Sequence, residues 1–275
     1  MLLDTLKALC NLPGASGMED AVRDYILQEA RLYANEIVTD SLGNLMVFKK
    51  GRKAPQKRLM LAAHMDEVGV IVTGITEDGY LKFDFVGGVD RRVVIGHRVR
   101  FGSLLGVIGL RAIHLAGKEK EDEVPKVEDL YIDIGAPDKE TAEKLISLGD
   151  IGTFESEILE FGDGFLKAKA IDDRVGCAVM LELLKEDLAV DTWFAFTAQE
   201  EVGTRGAMVA AYRLEPEIAL IVEGTTAADL PSVKGTKKIC SPGKGVVIPF
   251  MDRGTIYDRE LYAQLTGLAD KNGIP

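Results

Sequence analysis

The stretch Thr192-Trp193-Phe194-Ala195-Phe196, followed at once by Thr197-Ala198-Gln199-Glu200-Glu201-Val202-Gly203, constrains this chain more than any other. A continuous run of β-branched and aromatic residues without polar alternation predicts a strand covered on both faces, as in a sheet with crossover helices. In such sheets ligands collect in the crevice beyond the strand ends, and here the strand ends in two adjacent carboxylates. Neighbouring carboxylates repel, so keeping both ionised requires a cation, for which a divalent metal ion is the usual choice. Taken alone, the pair reads equally as acidic residues opening a helix near Gly203.

Three further segments end in the same way. Leu59-Met60-Leu61-Ala62-Ala63 runs into His64-Met65-Asp66-Glu67, Ile218-Ala219-Leu220-Ile221-Val222 runs into Glu223, and Lys169-Ala170-Ile171 leads to Asp172-Asp173-Arg174 and a helix from about Val175. Each has an ordinary explanation by itself: a core histidine, a helix N-cap pair, a solvated strand end. Together, four segments delivering His, Asp or Glu to one sheet edge fit a shared-metal site. Such a site needs a carboxylate bridging two ions, further ligands completing each shell, and a base to activate water. His64 followed by Asp66 also suits a metal-bound imidazole whose tautomer a carboxylate fixes.

The surrounding pattern predicts an α/β fold: a mixed, largely parallel sheet with flanking helices, and an inserted small β-barrel-like domain. Residues 1–69 and 164–275 form the expected catalytic domain and residues 70–163 the insert, where short β-rich runs alternate with glycine turns. An opening helix over residues 2–12 precedes Ser16-Gly17-Met18-Glu19, which has the Ser-x-x-Glu form of a capping box. The next helix should present Val22, Tyr25, Ile26, Ala30 and Tyr33 on one stripe. Within the insert, Asp138 should cap a helix with Ala142, Leu145, Ile146 and Leu148 on its apolar face, and the tract 118–128 reads as an exposed loop. Residues 225–249 read as loop with one strand at most, followed by a helix over 258–272 with Leu261, Leu265, Leu268 and Ala269 on one stripe.

A net charge of −11 argues against nucleic acid and anionic membranes as partners. No run approaches the ~18 apolar residues of a membrane span and the first residues lack the form of a signal peptide, so the cytoplasm is the expected compartment. Cys10, Cys177 and Cys240 are odd in number and lack metal-ligand spacing, which predicts buried thiols and no disulfide.

The segments Ala63-His64-Met65-Asp66-Glu67-Val68-Gly69, Ala170-Ile171-Asp172-Asp173-Arg174-Val175-Gly176 and Thr197-Ala198-Gln199-Glu200-Glu201-Val202-Gly203 resemble those of the M42 metallo-aminopeptidases, some of them labelled endoglucanases or glutamyl aminopeptidases. Val222-Glu223-Gly224-Thr225-Thr226-Ala227-Ala228-Asp229 and Met251-Asp252-Arg253-Gly254 are similar too, so the resemblance runs through the chain in order. It implies a peptidase with two divalent ions per subunit, Zn2+ or Co2+. Asp172 would bridge them, His64 and Glu223 would hold one ion, and Glu201 the other. Glu200 would be the general base, Asp66 the residue orienting His64, and the Asp172–Asp173 peptide cis. Peptides are the implied substrates, and the insert is the implied dimerisation module, with dimers assembling into a tetrahedral dodecamer.

The departures are two. Glu223 stands where relatives often carry Asp, and either oxygen ligand suits the metal. The family also supplies a ligand histidine near its C-terminus, whereas His97 and His114 both fall in the insert. The helix stop at Gly273 followed by Ile274 reads as a turn into another strand, so the sequence is expected to stop short of the last elements. A chain ending at Pro275 would instead be a catalytically impaired assembly subunit. A glycoside hydrolase is the other alternative, supported only by the paired glutamates; adjacent residues do not readily flank a sugar at the ~5–9 Å separations that chemistry uses.

Overall fold

In the computed structural model, which describes residues 2–110 and 124–275, the run that opens the sequence argument is the central strand of a five-stranded sheet. His114 and residues 118–123 of the charged tract lie outside the described residues. The elements are α1 (Leu2–Asn11), α2 (Asp20–Ala30), β1 (Glu36–Thr39), β2 (Leu45–Lys49) and β3 (Leu59–His64). Then come β4 (Gly69–Ile75), β5 (Leu81–Val86), β6 (Arg98–Phe101), β7 (Leu104–Leu110), β8 (Leu130–Asp133), α3 (Lys139–Glu143) and β9 (Ile151–Phe154). A hairpin of β10 (Leu159–Phe161) and β11 (Phe165–Lys167) leads to α4 (Ile171–Leu183), β12 (Thr192–Thr197), α5 (Arg205–Leu214), β13 (Ile218–Ile221) and α6 (Arg259–Asn272).

The sheet order is β1-β2-β12-β3-β13, with β12 antiparallel to β2 and parallel to β3, and β3 parallel to β13. It is therefore a mixed sheet, as the sequence predicts. Register explains the site: Thr197 lies opposite His64 and Ile221 opposite Ala62, so β12, β3 and β13 end together and the polar residues after them emerge at one edge. Phe194 and Phe196 are fully buried on one face against Leu9, Ile26 and Leu181 from α1, α2 and α4. Ala195 packs on the other face with Met46, Met60 and Ala210, the last from α5. Burial on both faces is why β12 has no polar alternation; each large side chain so buried contributes roughly 1.5–3 kcal/mol.

Strands β4-β5-β8-β7-β6-β9 close into an antiparallel barrel, β9 pairing back to β4, with its own core of Val70, Val72, Leu81, Phe83, Val99, Ile108, Leu130 and Ile132. Closure removes the exposed strand edges that an open sheet of this size would present. His97 is exposed beside this barrel, its ring 6.4 Å from Phe154.

Some sequence expectations give way. Glu19 precedes α2 without a side-chain capping bond, and Ser16 bonds Asp66 instead, so the Ser-x-x-Glu spacing is not a capping box. Tyr33 lies beyond the end of α2. Asp138 does cap α3, accepting from the Thr141 amide at 2.8 Å, but the helix ends at Glu143. Ala142 and Ile146 are buried while Leu145 and Leu148 are exposed, because past the helix end the 3.6-residue period no longer applies. Cys10 and Cys177 are buried free thiols, whereas Cys240 is only half-buried.

Two compact units divide the chain, Met1–Gly224 and Thr225–Pro275. The second contains a short 3-10 helix at Gly235–Lys237, an isolated bridge between Met251 and Ile256, and the helix α6. Asp258 caps α6 through the Leu261 amide, and Gly273 ends it at φ +63°, a left-handed conformation that glycine adopts without strain. Leu261, Leu265 and Ala269 are half-buried and Leu268 is exposed. No helix among the described residues is long and apolar enough to cross a membrane.

Candidate metal centre and active site

His64 closes β3 and is buried. Its Nδ1 lies 3.1 Å from the main-chain oxygen of Asp66 and 3.4 Å from Asp66 Oδ1. A carbonyl oxygen only accepts, so Nδ1 carries the hydrogen and Nε2 turns to the cleft. There Nε2 meets Asp172 Oδ1 at 3.1 Å, Glu223 Oε1 at 3.4 Å and Glu200 Oε2 at 4.0 Å. One ligand atom each from His64, Asp172 and Glu223 lies within 4.8 Å of the others. Metal bonds of about 2.0–2.2 Å in a tetrahedral shell put ligand atoms about 3.4 Å apart, close to the spacing seen here. The cluster opens to solvent through Asp172, whose side chain is 64% exposed.

Asp66 is the hub of the site and has no exposed surface. Its Oδ2 accepts from the Ser16 hydroxyl at 2.6 Å and the Glu201 amide at 3.1 Å, and its Oδ1 from the Glu200 amide at 2.9 Å. One carboxylate therefore fixes the backbone of both adjacent glutamates and faces the His64 ring. Burial pushes the Asp66 carboxyl up, but the bonds from His64, Ser16 and the Glu200 amide together bring it below the ordinary carboxylate range.

Asp173, joined to Asp172 by a cis peptide, accepts from the His64 amide at 3.1 Å and the Gly176 amide at 3.0 Å. Burial, reinforced by the charge of Glu223, pushes its carboxyl up to about 8. Glu201 is pushed up to about 7, by burial first and then by Asp172 and Glu200, against the pull of His64. Burial raises Glu223 too, whereas the hydrogen bond to His64 holds Asp172 low. The His64 imidazole is desolvated, which favours its neutral form, yet Asp172, Asp66 and Glu223 keep it protonated far above its ordinary range. A crowd of acids that gives up part of its charge and gathers a proton onto its one imidazole is a donor set matched to a divalent cation.

The structure thus brings His64, Asp172 and Glu223 into one group, with Glu200 at its rim and Asp66 behind His64. Glu201 stands outside the three-residue group, within electrostatic reach of His64, Asp172, Glu200 and Asp66.

Several supporting residues escape sequence reasoning. Arg174, wholly buried, donates to the carbonyls of Met65 at 2.7 Å and Leu9 at 2.6 Å, and lies 3.4 Å from Glu67 Oε1. Lys169 Nζ bonds the same oxygen at 2.5 Å. Burial lowers the Lys169 ammonium below its usual range, and Glu67 offsets this only in part. The one signal that points to Glu67 and Arg174 is that each directly follows a candidate ligand segment. Asn44, which accepts from the Ala198 amide at 2.9 Å, and Glu19, which accepts from the Gln199 amide at 3.0 Å, carried no such signal.

Several known proteins are similar to this chain. The model of the family described as M42 glutamyl aminopeptidase matches residues 43–275. A protein of Acetivibrio thermocellus is 40% identical across the whole chain, which spans 81% of that protein. The structure of an aminopeptidase from the archaeon Desulfurococcus kamchatkensis superposes with a TM-score of 0.92 at 36% identity, covering 100% of this chain and 78% of that one. The Pyrococcus horikoshii TET1 peptidase, which can assemble into a tetrahedron or a large octahedral shell, superposes with a TM-score of 0.85 at 34% identity, covering 100% of this chain and 82% of that one. With a family model matched over residues 43–275 and a relative 40% identical along the whole chain, this chain belongs to the M42 family of aminopeptidases.

Proposed function

We propose that the protein hydrolyses N-terminal residues from peptides with two divalent ions, Zn2+ or Co2+, and with Glu200 as general base. The observation that carries the reading is the convergence of His64 Nε2, Asp172 and Glu223 within 4.8 Å, beside a glutamate whose backbone is fixed by a buried aspartate. In the proposed arrangement Asp172 would serve both ions, His64 and Glu223 would hold one, and Glu201 the other. When bound, the ions polarise the scissile carbonyl and make water acidic enough to deprotonate near neutral pH. Glu200 Oε2, 4.0 Å from His64 Nε2, takes the proton of the attacking water and passes it to the leaving amine. Asp66 keeps the His64 ring oriented, and Ser16 holds Asp66 in turn.

All of these residues fall in 1–69 and 164–275, leaving 70–163 for another task. We assign that segment to self-association into dimers and larger shells, a reading supported by its separate barrel core and by the assembly of the Pyrococcus horikoshii relative.

The decisive test pairs the two glutamates. Glu200→Gln should retain metal affinity, measured by calorimetry with Zn2+ or Co2+, while turnover of aminoacyl p-nitroanilides falls about 10²–10⁴-fold, since an amide cannot take a proton. Glu201→Gln should weaken metal binding instead. Activity of Glu200→Gln within about tenfold of the parent would remove Glu200 as the base, and polysaccharide hydrolysis without peptide hydrolysis would overturn the reading altogether.

A further inference from the structure

Four consecutive backbone amides in the loop after β12 donate to buried side chains. Ala198 N–H goes to Asn44 Oδ1 at 2.9 Å, Gln199 N–H to Glu19 Oε1 at 3.0 Å, Glu200 N–H to Asp66 Oδ1 at 2.9 Å and Glu201 N–H to Asp66 Oδ2 at 3.1 Å. Between the buried Ala198, just past the end of β12, and the proposed base sits Gln199, with φ +55°. That left-handed backbone is uncommon for a residue with a Cβ, and persists where surrounding contacts over-determine it. The residue held this way is the pivot that sets the direction of Glu200.

We infer that Glu19 is the positioning residue that locks this pivot, and so determines how accurately Glu200 is aimed at the reacting water. The inference rests on the assignment of Glu200 as base. Glu19 is 4% exposed, contributes nothing to the cap of α2, and lies 180 residues from its partner. The same oxygen accepts from the Gly17 amide at 2.8 Å, which ties the lock to the turn carrying Ser16, itself bonded to Asp66. The turn is anchored as well: Ser16 N–H donates to the Glu67 main-chain oxygen at 3.2 Å, and Glu67 N–H returns a bond to Gly14 at 2.9 Å. Residues 14–19 therefore clamp the loop 64–67 to the loop 199–201 through Glu19 and Ser16. A buried carboxylate is an expensive way to satisfy two amides. It is explained if the pair it holds must not drift, because an error of about 1 Å in a catalytic group can cost about 10²-fold in rate.

The test uses Glu19→Met, which keeps the volume but has no acceptor, and Glu19→Gln, whose amide oxygen still accepts. Metal affinity, kcat and KM are measured for both, and for Glu19→Met combined with Glu200→Gln. Glu19→Met is expected to lower kcat about 10- to 100-fold, with KM and metal affinity within about threefold. Glu19→Gln should return kcat to within about threefold of the parent, and Glu19→Met should cost nothing further once Glu200 is already Gln. A Glu19→Met protein with unchanged kcat overturns the inference, as does a loss that follows metal affinity, or a Glu19→Gln protein as impaired as Glu19→Met. If Glu19→Met does not fold, a fall of tenfold or more in kcat for Glu19→Gln still overturns it. Full activity of Glu200→Gln alone would instead defeat the assignment of the base, a separate outcome visible in the same set of proteins.

Discussion

Arg174→Met should be the most destabilising single change near the site, and its size follows from the bonds lost. The guanidinium is fully buried and donates to Leu9 O at 2.6 Å and Met65 O at 2.7 Å; its contacts with Leu12 O and Glu67 Oε1 are both 3.4 Å. The two short bonds dominate, each worth about 1.5–3 kcal/mol as charge-assisted bonds, and losing a buried cation typically costs about 3–5 kcal/mol. Methionine fills the space of the side-chain stem but leaves the Met65 carbonyl without this donor, while Leu9 O keeps only the Leu12 amide at 3.1 Å. Glu67 keeps Lys169 and the Gly14 amide, so the lost ion pair adds little. The expected cost is therefore about 4 kcal/mol, a large fraction of the roughly 5–15 kcal/mol that holds a domain folded. Trp193, the only tryptophan, lies in β12 and reports on the unit Met1–Gly224. Followed by its fluorescence, with a slope of about 2–3 kcal/mol per molar urea, the unfolding midpoint should fall by about 1.5–2 M. Arg174→Lys should fall between, since one ammonium does not span carbonyls arranged for a planar fork. A midpoint shift for Arg174→Met below about 0.4 M would refute the reasoning, because it would mean the charge-assisted bonds to Met65 O and Leu9 O are lost at no cost.

Two further outcomes are expected. At pH 8 one thiol per chain should react rapidly with Ellman's reagent and three after denaturation: burial pushes Cys10 up to about 11 and Cys177 higher still, so both stay protonated, whereas Cys240 is half-buried; two fast equivalents in the native protein would contradict this. Light scattering at micromolar concentration should show a dimer or larger species, and a monomer alone would remove the assembly role assigned to residues 70–163.

What could be read from the sequence divides along a physical line. Residues 192–196 announce their strand because burial on both faces leaves no room for polar residues, and no other local requirement produces that pattern. His64 and Glu223 directly follow apolar runs and Glu200 lies three residues beyond the end of β12, so the end of each strand in sequence, which is also its end in space, places these candidate residues. Ser16 and Glu19 misled because their residue types and spacing satisfy two different demands equally, capping a helix or holding a distant loop, and only the tertiary fold decides. The partners of Arg174, Leu9 and Leu12, lie more than 160 residues away, and a carbonyl oxygen leaves no trace in residue identity. Leu145 and Leu148 failed for a local reason: helical periodicity continues in the letters after the helix itself has stopped at Glu143.

Many of the departures from local preference collect around the candidate metal site. Ala170 and Gln199 adopt left-handed backbone two residues before Asp172 and one before Glu200, and Glu19, Asp66, Glu67 and Asp173 are buried carboxylic acids. Each is unfavourable alone: a residue with a Cβ avoids positive φ, and a carboxylate avoids leaving water. Each is also bound to a backbone amide or a neighbouring cation, so the cost is met during folding and not when a ligand arrives. Asp172, Glu200 and Glu223, by contrast, keep 35–64% of their side chains exposed. The buried acids form the frame and the exposed ones reach into the cleft. The loops that carry the exposed carboxylates are already tied down by amides bonded to the buried ones, so a cation taken up as proposed would not have to reorganise them. This is the condition under which electrostatic stabilisation is most effective.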